Sequence, residues 1–378
     1  MSEIASGSIR FNTDSAKMEI WNGEQWWEID DSHGSGRGLF MGGTPTPDRI
    51  DFITIDSTGD AVDFGNLSAG RFTGCSIASQ TRGCYVAGEL NPSGTASNTI
   101  DYITILSTGN AVDFGNLSSG RFTGGAFASS TRAVYVAGEL APGAETNLID
   151  YVTISSAGDA KDFGDLSNTR RYTLVAVSNR TRGITGGGGT PTRVSTLDFF
   201  TISTQGNSAE FGNLTETKGA TFSAQSAVRG IAAGGSTPSD TTNIDAFSMA
   251  SKGDAFDFGD LTVARSNSGG GSNFIRAVFM GGTQTPSNPA GIDTMDFIQI
   301  QSGGAAADFG DSTQARNGGQ GGCASPTRVC HGGGNNPSAT NRIDFVNIQT
   351  TGDAIDFGDL SAARTYPFGV SNSHGGVS

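Results

Sequence analysis

The sequence predicts an all-β protein: a seven-bladed β-propeller of four-stranded blades, closed by a C-terminal strand and preceded by a small N-terminal β-arm. Three observations predict it. Asp-Phe-Gly or a close variant recurs with its Phe at 64, 114, 163, 211, 258, 309 and 357, spaced by 50, 49, 48, 47, 51 and 48 residues. A period near fifty marks a repeat array rather than one continuous core. Between successive copies lie short runs rich in β-branched and aromatic residues, bounded by Gly, Asn and Ser, with no sustained helical periodicity. Finally, the strand arithmetic closes. The repeat begins partway into a unit at Arg37 and ends partway into another, so YPFGVSNS at 366–373 supplies the missing first strand. Radial closure of that kind leaves no free sheet edge.

Residues 1–30 stand outside the repeat. GSIRFN, MEIWN and WWEI read as two or three short strands joined by polar turns, and Trp21, Trp26 and Trp27 are all the tryptophans of the chain. Residues 31–36, within DDSHGSG, read as a flexible linker, which leaves 37–378 for the propeller. Each unit then has four pieces. A glycine-rich strand such as RFTGCSIAS turns through Thr-Arg into an apolar strand that ends in a small pair, as in RGLFMGG, RAVFMGG and RGIAAGG. A Pro/Ser/Thr/Asn-rich loop leads to an IDFITI-type strand, and an STGD-type turn leads to AVDFGNL. The Phe of that last strand is expected between blades, and its Gly at a bend or bulge.

Composition fits thin, turn-rich blades: 57 of 378 residues are Gly and only 35% are hydrophobic. The net charge of −14 excludes nucleic acid as a natural partner and favours solubility. No apolar run approaches membrane-spanning length, and the N-terminus lacks the basic start and apolar core of a signal peptide, so synthesis in the cytoplasm is expected. Four cysteines fall in two pairs beside first-to-second strand turns. Cys75 and Cys84 are symmetric about Ser79–Gln80 and are expected to face each other across a hairpin, with Cys323 and Cys330 as diagonal neighbours. Buried thiols and a Cys75–Cys84 disulfide are both compatible with that placement.

Three rows of charge repeat. Asp51, Asp101, Asp150, Asp198, Asp245, Asp296 and Asp344 open the third strands, while Arg71, Arg121, Arg170, Lys218, Arg265, Arg316 and Arg364 end the connections into first strands. Both rows fall on one rim. On the other lie Arg37, Arg82, Arg132, Arg182, Arg229, Arg276 and Arg328, together with the fourth-strand turns at Asp60, Asn110, Asp159, Asn207, Asp254 and Asp353. Structural bridges from Arg to carboxylate or backbone are expected. Seven calcium sites are the alternative, but the turns lack the oxygen density a calcium site needs.

Asp-Phe-Gly is not the kinase magnesium motif, since it recurs in every unit without Val-Ala-Ile-Lys or His-Arg-Asp. The glycine runs at 186–189 and 332–334 lack a following Gly-Lys-Ser/Thr and read as strand ends rather than phosphate cradles. Only His33, His331 and His374 are present, none in a metal-ligating cluster, so no catalysis, cofactor or metal is expected. What varies is the second-to-third strand loop, with candidate binding residues at Thr44, Pro45, Asn91, Pro92, Pro142, Thr190, Pro238, Pro286 and Asn336.

The order of Arg, glycine-rich strand, apolar strand ending in Gly-Gly, variable loop, alternating strand, turn and aromatic strand resembles the kelch repeat. The resemblance spans Arg37 to about Ser373 and departs from the family at its fourth strand, where Phe stands in place of the usual Trp. It implies a propeller, but neither the ligands of a kelch-type copper oxidase nor the Ser-x-Asp-x-Gly-x-Thr-Trp boxes of a sialidase are present. IDFITI followed by STGDAVDFG is also similar to repeats in virion structural proteins of marine tailed bacteriophages. GSIRFNTDSAKMEIWNGEQWW, in turn, resembles a short β-motif of phage fibre and tail proteins. These resemblances imply a non-enzymatic virion component (fibre, tail or head decoration), made in the host cytoplasm and docked to other virion proteins through Trp21, Trp26 and Trp27. Its propeller would face a host-surface glycan or protein, with no membrane insertion and with homo-oligomer formation left open. The alternative is a cellular or secreted kelch-like binding module or adhesin.

Overall fold

The computed structural model describes residues 5, 8–12, 17–21, 26–28, 36–129, 131–141, 143–172, 175–190, 192–285, 291–318 and 321–373. The chain divides into two compact units, Met1–Ser35 and Gly36–Ser378. In the first, Ile9–Asn12, Lys17–Trp21 and Trp26–Glu28 form an antiparallel three-stranded sheet in chain order. The linker at 31–36 lies, except for Gly36, outside the described residues.

The second unit is a seven-bladed propeller of four-stranded antiparallel blades, and its described residues contain no helix. Blade I is built from Phe368–Ser371, Arg37–Met41, Arg49–Thr54 and Val62–Asn66. Its closing strand pairs as the strand count requires, with Phe368 opposite Met41 and Ser371 opposite Gly38. The backbone N–H of Arg37 donates to Asn372 Oδ1 and Asn372 donates back to the Arg37 carbonyl, extending the closure by one residue. Blades II to VII open at Cys75, Gly125, Val175, Phe222, Gly269 and Gly322. First strands surround the central channel and fourth strands form the outer edge.

The core is a set of layers between blades. One layer joins Leu39, Met41, Ile50, Phe64 and Leu67 of blade I to Tyr85, Ile103 and Ile105 of blade II. Phe64 reaches it through a bulge: Ile50 pairs with Gly65 and Asp51 with Asp63, which leaves Phe64 as the extra residue. Its ring meets Phe52 edge-on, with centroids 5.9 Å apart, and the Arg37 guanidinium covers the Phe52 ring at 4.4 Å. The glycine after Phe64 has a different reason. A Cβ on Gly65 would lie 2.5 Å from the carbonyl oxygen of Gly109, so each Asp-Phe-Gly is pressed by the STGD-type turn of the following blade.

The small pair ending each second strand is also explained. Gly42 and Gly43 adopt φ of +66° and +95°, and Ala87 and Gly88 adopt +61° and +107°, conformations open to glycine and disfavoured for side-chain-bearing residues. The two left-handed steps turn the Gly43 N–H onto the Arg71 carbonyl at 3.2 Å, and the Gly88 N–H onto the Arg121 carbonyl at 3.0 Å.

The cysteine expectation is corrected. Cys84 lies opposite Ile77, and Cys75 lies opposite Val86, so Cys75 and Cys84 are diagonal, whereas Cys323 and Cys330 face each other directly. The turn is centred one position later than its sequence symmetry suggests. Ser79 donates its N–H to the Arg82 carbonyl, and its hydroxyl accepts the N–H groups of Thr81 and Arg82, making a four-residue turn. All four thiols are free. Burial pushes the Cys84 thiol up to about 12, while a hydrogen bond with Cys323, and then burial, raises Cys330. At pH 8, iodoacetamide should modify Cys75 and Cys84 only after unfolding, since burial raises both thiols to about 12. Rapid labelling of Cys84 in the folded protein would contradict this. Because the folded Cys84 value exceeds the unfolded thiol value of about 8.5, its contribution to stability is complete below that pH. That contribution is lost as pH climbs through about 12.

Candidate functional site

The loop rim gathers the two rows that the sequence places there. Asp101 pairs with Arg71, Asp150 with Arg121, Asp198 with Arg170, Asp245 with Lys218, Asp296 with Arg265, Asp344 with Arg316 and Asp51 with Arg364. Both members of every pair are buried. The guanidinium geometry repeats. In Arg170, Nη2 donates to Asp198 at 2.6 Å while Nη1 donates to the Thr196 carbonyl at 2.9 Å. Burial lowers the pKa of all six arginines and of Lys218, and the paired aspartate opposes that shift in each.

A third partner escaped the sequence reading. Each carboxylate also accepts from a Ser or Thr three residues before the cation. The Ser118 hydroxyl donates to Asp150 at 2.8 Å and Ser167 to Asp198 at 2.9 Å, and Thr215, Thr262, Thr313 and Ser361 do the same at 2.5 Å. The signal was a repeated Ser/Thr-x-x-Arg/Lys in every unit. Since that hydroxyl residue follows the preceding blade, each triad ties the connection between blades to the third strand of the blade it enters. These are structural centres.

The opposite rim closes differently. Nη1 of Arg37, Arg82, Arg132, Arg182, Arg229 and Arg276 each donates to a carbonyl of the next blade, and Arg328 completes the ring on Ile55 at 3.0 Å. The fourth-strand turns serve the backbone instead: Asp60 accepts the N–H of Asp359 at 3.0 Å and Asp159 that of Asn116 at 2.9 Å. Among the described residues no group of three or more His, Cys, Asp or Glu is arranged to hold a metal ion.

Of the nominated loop residues, Pro142 and Pro286 lie outside the described residues. Thr44–Pro45 and Asn91–Pro92 are cis peptides on exposed turns. Thr44 exchanges backbone hydrogen bonds with Thr365, and the Asn91 N–H donates to Gly70. Pro238 is exposed, Asn336 donates its side-chain amide to the Ala315 carbonyl, and Thr190 ends the short strand Gly189–Thr190. These loops share a rim but converge on no single constellation.

One did form elsewhere on that rim. Arg171 donates to Glu139 at 2.7 Å and lies 3.4 Å from Glu145. Beside it Tyr172 is 40% exposed, with the guanidinium carbons of Arg171 and Arg193 at 5.3 and 5.6 Å from its ring centroid. Arg193 comes from the blade IV loop and donates to Ser236 of the blade V loop at 3.3 Å. Burial depresses the Arg193 pKa, Tyr172 opposes the shift and the neighbouring Arg171 charge adds to it. Burial, with Glu139 as second cause, raises Glu89. Toward the opposite rim, a channel of about 580 Å³ runs along the first strands to the Ser79–Thr81 turn, lined by small residues such as Ser76, Ala126, Gly271 and Ala324. The strands around it are tightly set: a Cβ on Gly369 would lie 2.2 Å from the Gly322 carbonyl oxygen.

No protein-family model matches the sequence. A search of curated proteins gives no match either.

Proposed function

We propose that the protein is a non-enzymatic structural component of a tailed-phage virion, anchored through residues 1–30 and displaying its propeller toward the host surface. In this reading the repeat is kelch-like, with Phe64 and its equivalents standing where that family has Trp. The observation that carries the reading is the arm. It lies outside the repeat as a unit of its own, and its Trp21 and Trp26 rings pack on each other at 5.5 Å, with the Arg10 guanidinium 4.2 Å over Trp26. Ile9 remains 58% exposed. So small a sheet has little core of its own, and covering each large aromatic contributes roughly 2–3 kcal/mol. The side chain of Trp27, the third nominated docking residue, lies outside the described residues.

The partners of this reading are other virion proteins at the arm and a host-surface glycan or protein at the loop rim, with no nucleic acid and no membrane insertion. Deleting residues 1–30 tests it. The truncated ring is expected to melt as the full chain does, and its content in purified particles, read by peptide mass spectrometry, is expected to fall at least about tenfold. Normal incorporation of the truncated protein overturns the anchoring role. A ring that no longer folds makes the arm a cap, the outcome expected of a cellular binding module.

A further inference from the structure

We propose that the rim formed by blades III, IV and V carries a binding site for an acidic sugar, a pyranose bearing a carboxylate. Tyr172 supplies an exposed ring for the sugar's apolar face, and Arg193 takes the carboxylate. This rests on the display reading above for the origin of the ligand, not for its chemistry.

Four observations meet at this place. Tyr172 occupies the left-handed position before a first strand, at φ +54°, which the other units fill with Thr73, Thr123, Ala220, Asn267, Gly318 and Tyr366. Its side chain is partly exposed at the rim, and of the two guanidiniums beside its ring only that of Arg171 is, among the described residues, paired with carboxylates. Second, the two arginines beside it differ in charge balance. Arg171 is neutralised by Glu139 and Glu145, but no carboxylate among the described residues lies within 4.0 Å of an Arg193 nitrogen. Among the described residues its side-chain hydrogen-bond acceptor is the Ser236 hydroxyl, although a guanidinium carries five donors. Third, the space for that guanidinium is built. A Cβ on Gly219 would lie 2.7 Å from Arg193 Nη1, and the equivalent positions in other units carry Phe72, Phe122, Arg171, Ser266, Asn317 and Thr365. Fourth, the chain carries a net charge of −14, so a half-buried, uncompensated cation is not explained by solubility.

The surroundings choose among anions. A planar guanidinium matches a carboxylate or phosphate in bidentate fashion. Glu139 and Glu145 lie against Arg171, and their oxygens suit sugar hydroxyls. The exposed ring adds a surface that a free inorganic anion does not use and a pyranose does. Burial already disfavours the charged Arg193, and an incoming carboxylate offsets that cost.

The test is calorimetric titration of the full-length protein with trigalacturonate, a neutral galactose trisaccharide and inorganic phosphate. Trigalacturonate is expected to bind measurably and to weaken with added salt, and the neutral trisaccharide to bind at least about tenfold more weakly. Arg193→Gln should lose about ten- to a hundredfold, the size of one charge-assisted contact. Tyr172→Gly, which the left-handed backbone accepts without strain, should keep or raise the melting temperature and lose affinity about tenfold. Absence of trigalacturonate binding, or unchanged binding by Arg193→Gln, overturns the site. Equal affinity for phosphate overturns the sugar in favour of a simple anion site. Particle incorporation of the arm-deleted protein is read separately, so either idea fails without the other.

Discussion

Removal of residues 366–378 should lower the melting temperature by roughly 10 °C or more, at about 2–4 °C for each kcal/mol lost. The deletion strips blade I of its channel-lining strand and of every pair from Phe368–Met41 to Ser371–Gly38. It also removes the Phe368 ring, which meets Tyr85 edge-on at 5.9 Å in the layer between blades I and II. The Ser371 hydroxyl, which donates to Ala324 of blade VII at 2.6 Å, goes with it. Blade I then presents the Arg37–Met41 edge to the channel, unpaired along most of its length, and such edges invite pairing with other chains. Scanning calorimetry with size-exclusion chromatography reads both effects. A truncated protein that melts with the full chain and stays monomeric rules out closure as a source of stability.

The second large effect concerns the buried ion pairs. Asp150→Ala should destabilise the ring by about 3–5 kcal/mol, because it leaves the Arg121 guanidinium buried without its counter-charge. It also strips Ser118 of the acceptor for both its hydroxyl and its N–H. Replacing the pair together, Arg121→Met with Asp150→Leu, should recover most of that loss, since much of the cost is the stranded charge rather than the missing attraction. Arg121→Lys is the mild change. The protein already contains it at Lys218, whose ammonium reaches Asp245 at 3.0 Å and Asn243 Oδ1 at 2.5 Å. Denaturant midpoints of the three variants decide the matter. A loss below about 1 kcal/mol in Asp150→Ala makes the pairs incidental to stability.

Much of this architecture was legible because repetition averages away local ambiguity. One Asp-Phe-Gly means little, but seven at a fixed period place Phe64 and its equivalents between blades and imply the number of strands. The rows of Asp and Arg were equally visible. Their pairing was not, because Arg71 meets Asp101 thirty residues on, and a list of rows carries no handedness to say which neighbour is met. Ser118 and its equivalents were hidden by their ordinariness: a hydroxyl in a turn is common, and only its fixed offset from Arg marks it. The cysteine register failed for a local reason, since the Ser79 hydroxyl draws the turn one residue onward. The Tyr172 cluster was invisible for the opposite reason. It is assembled by loops of three blades, and Arg171, Arg193 and Gly219 break the repeat, so a reading that seeks sameness passes over them.

The closing strand bears on how the protein is made. Synthesis runs from the N-terminus, and domains fold as their residues emerge from the ribosome. Blades II to VII can each assemble in turn as 75–364 appear, yet blade I, started at Arg37, waits more than three hundred residues for its partner at Phe368. Until then the nascent chain is an open crescent whose two end blades each expose one flank. The flank of blade VII carries Cys330, Phe345 and Phe357, which in the finished ring pack on Phe40, Ile53 and Ile55. The order of translation therefore sets the hazard. A ribosome that stalls before Phe368 leaves a crescent with sticky ends, and once Phe368–Ser371 has emerged the ring can close over them.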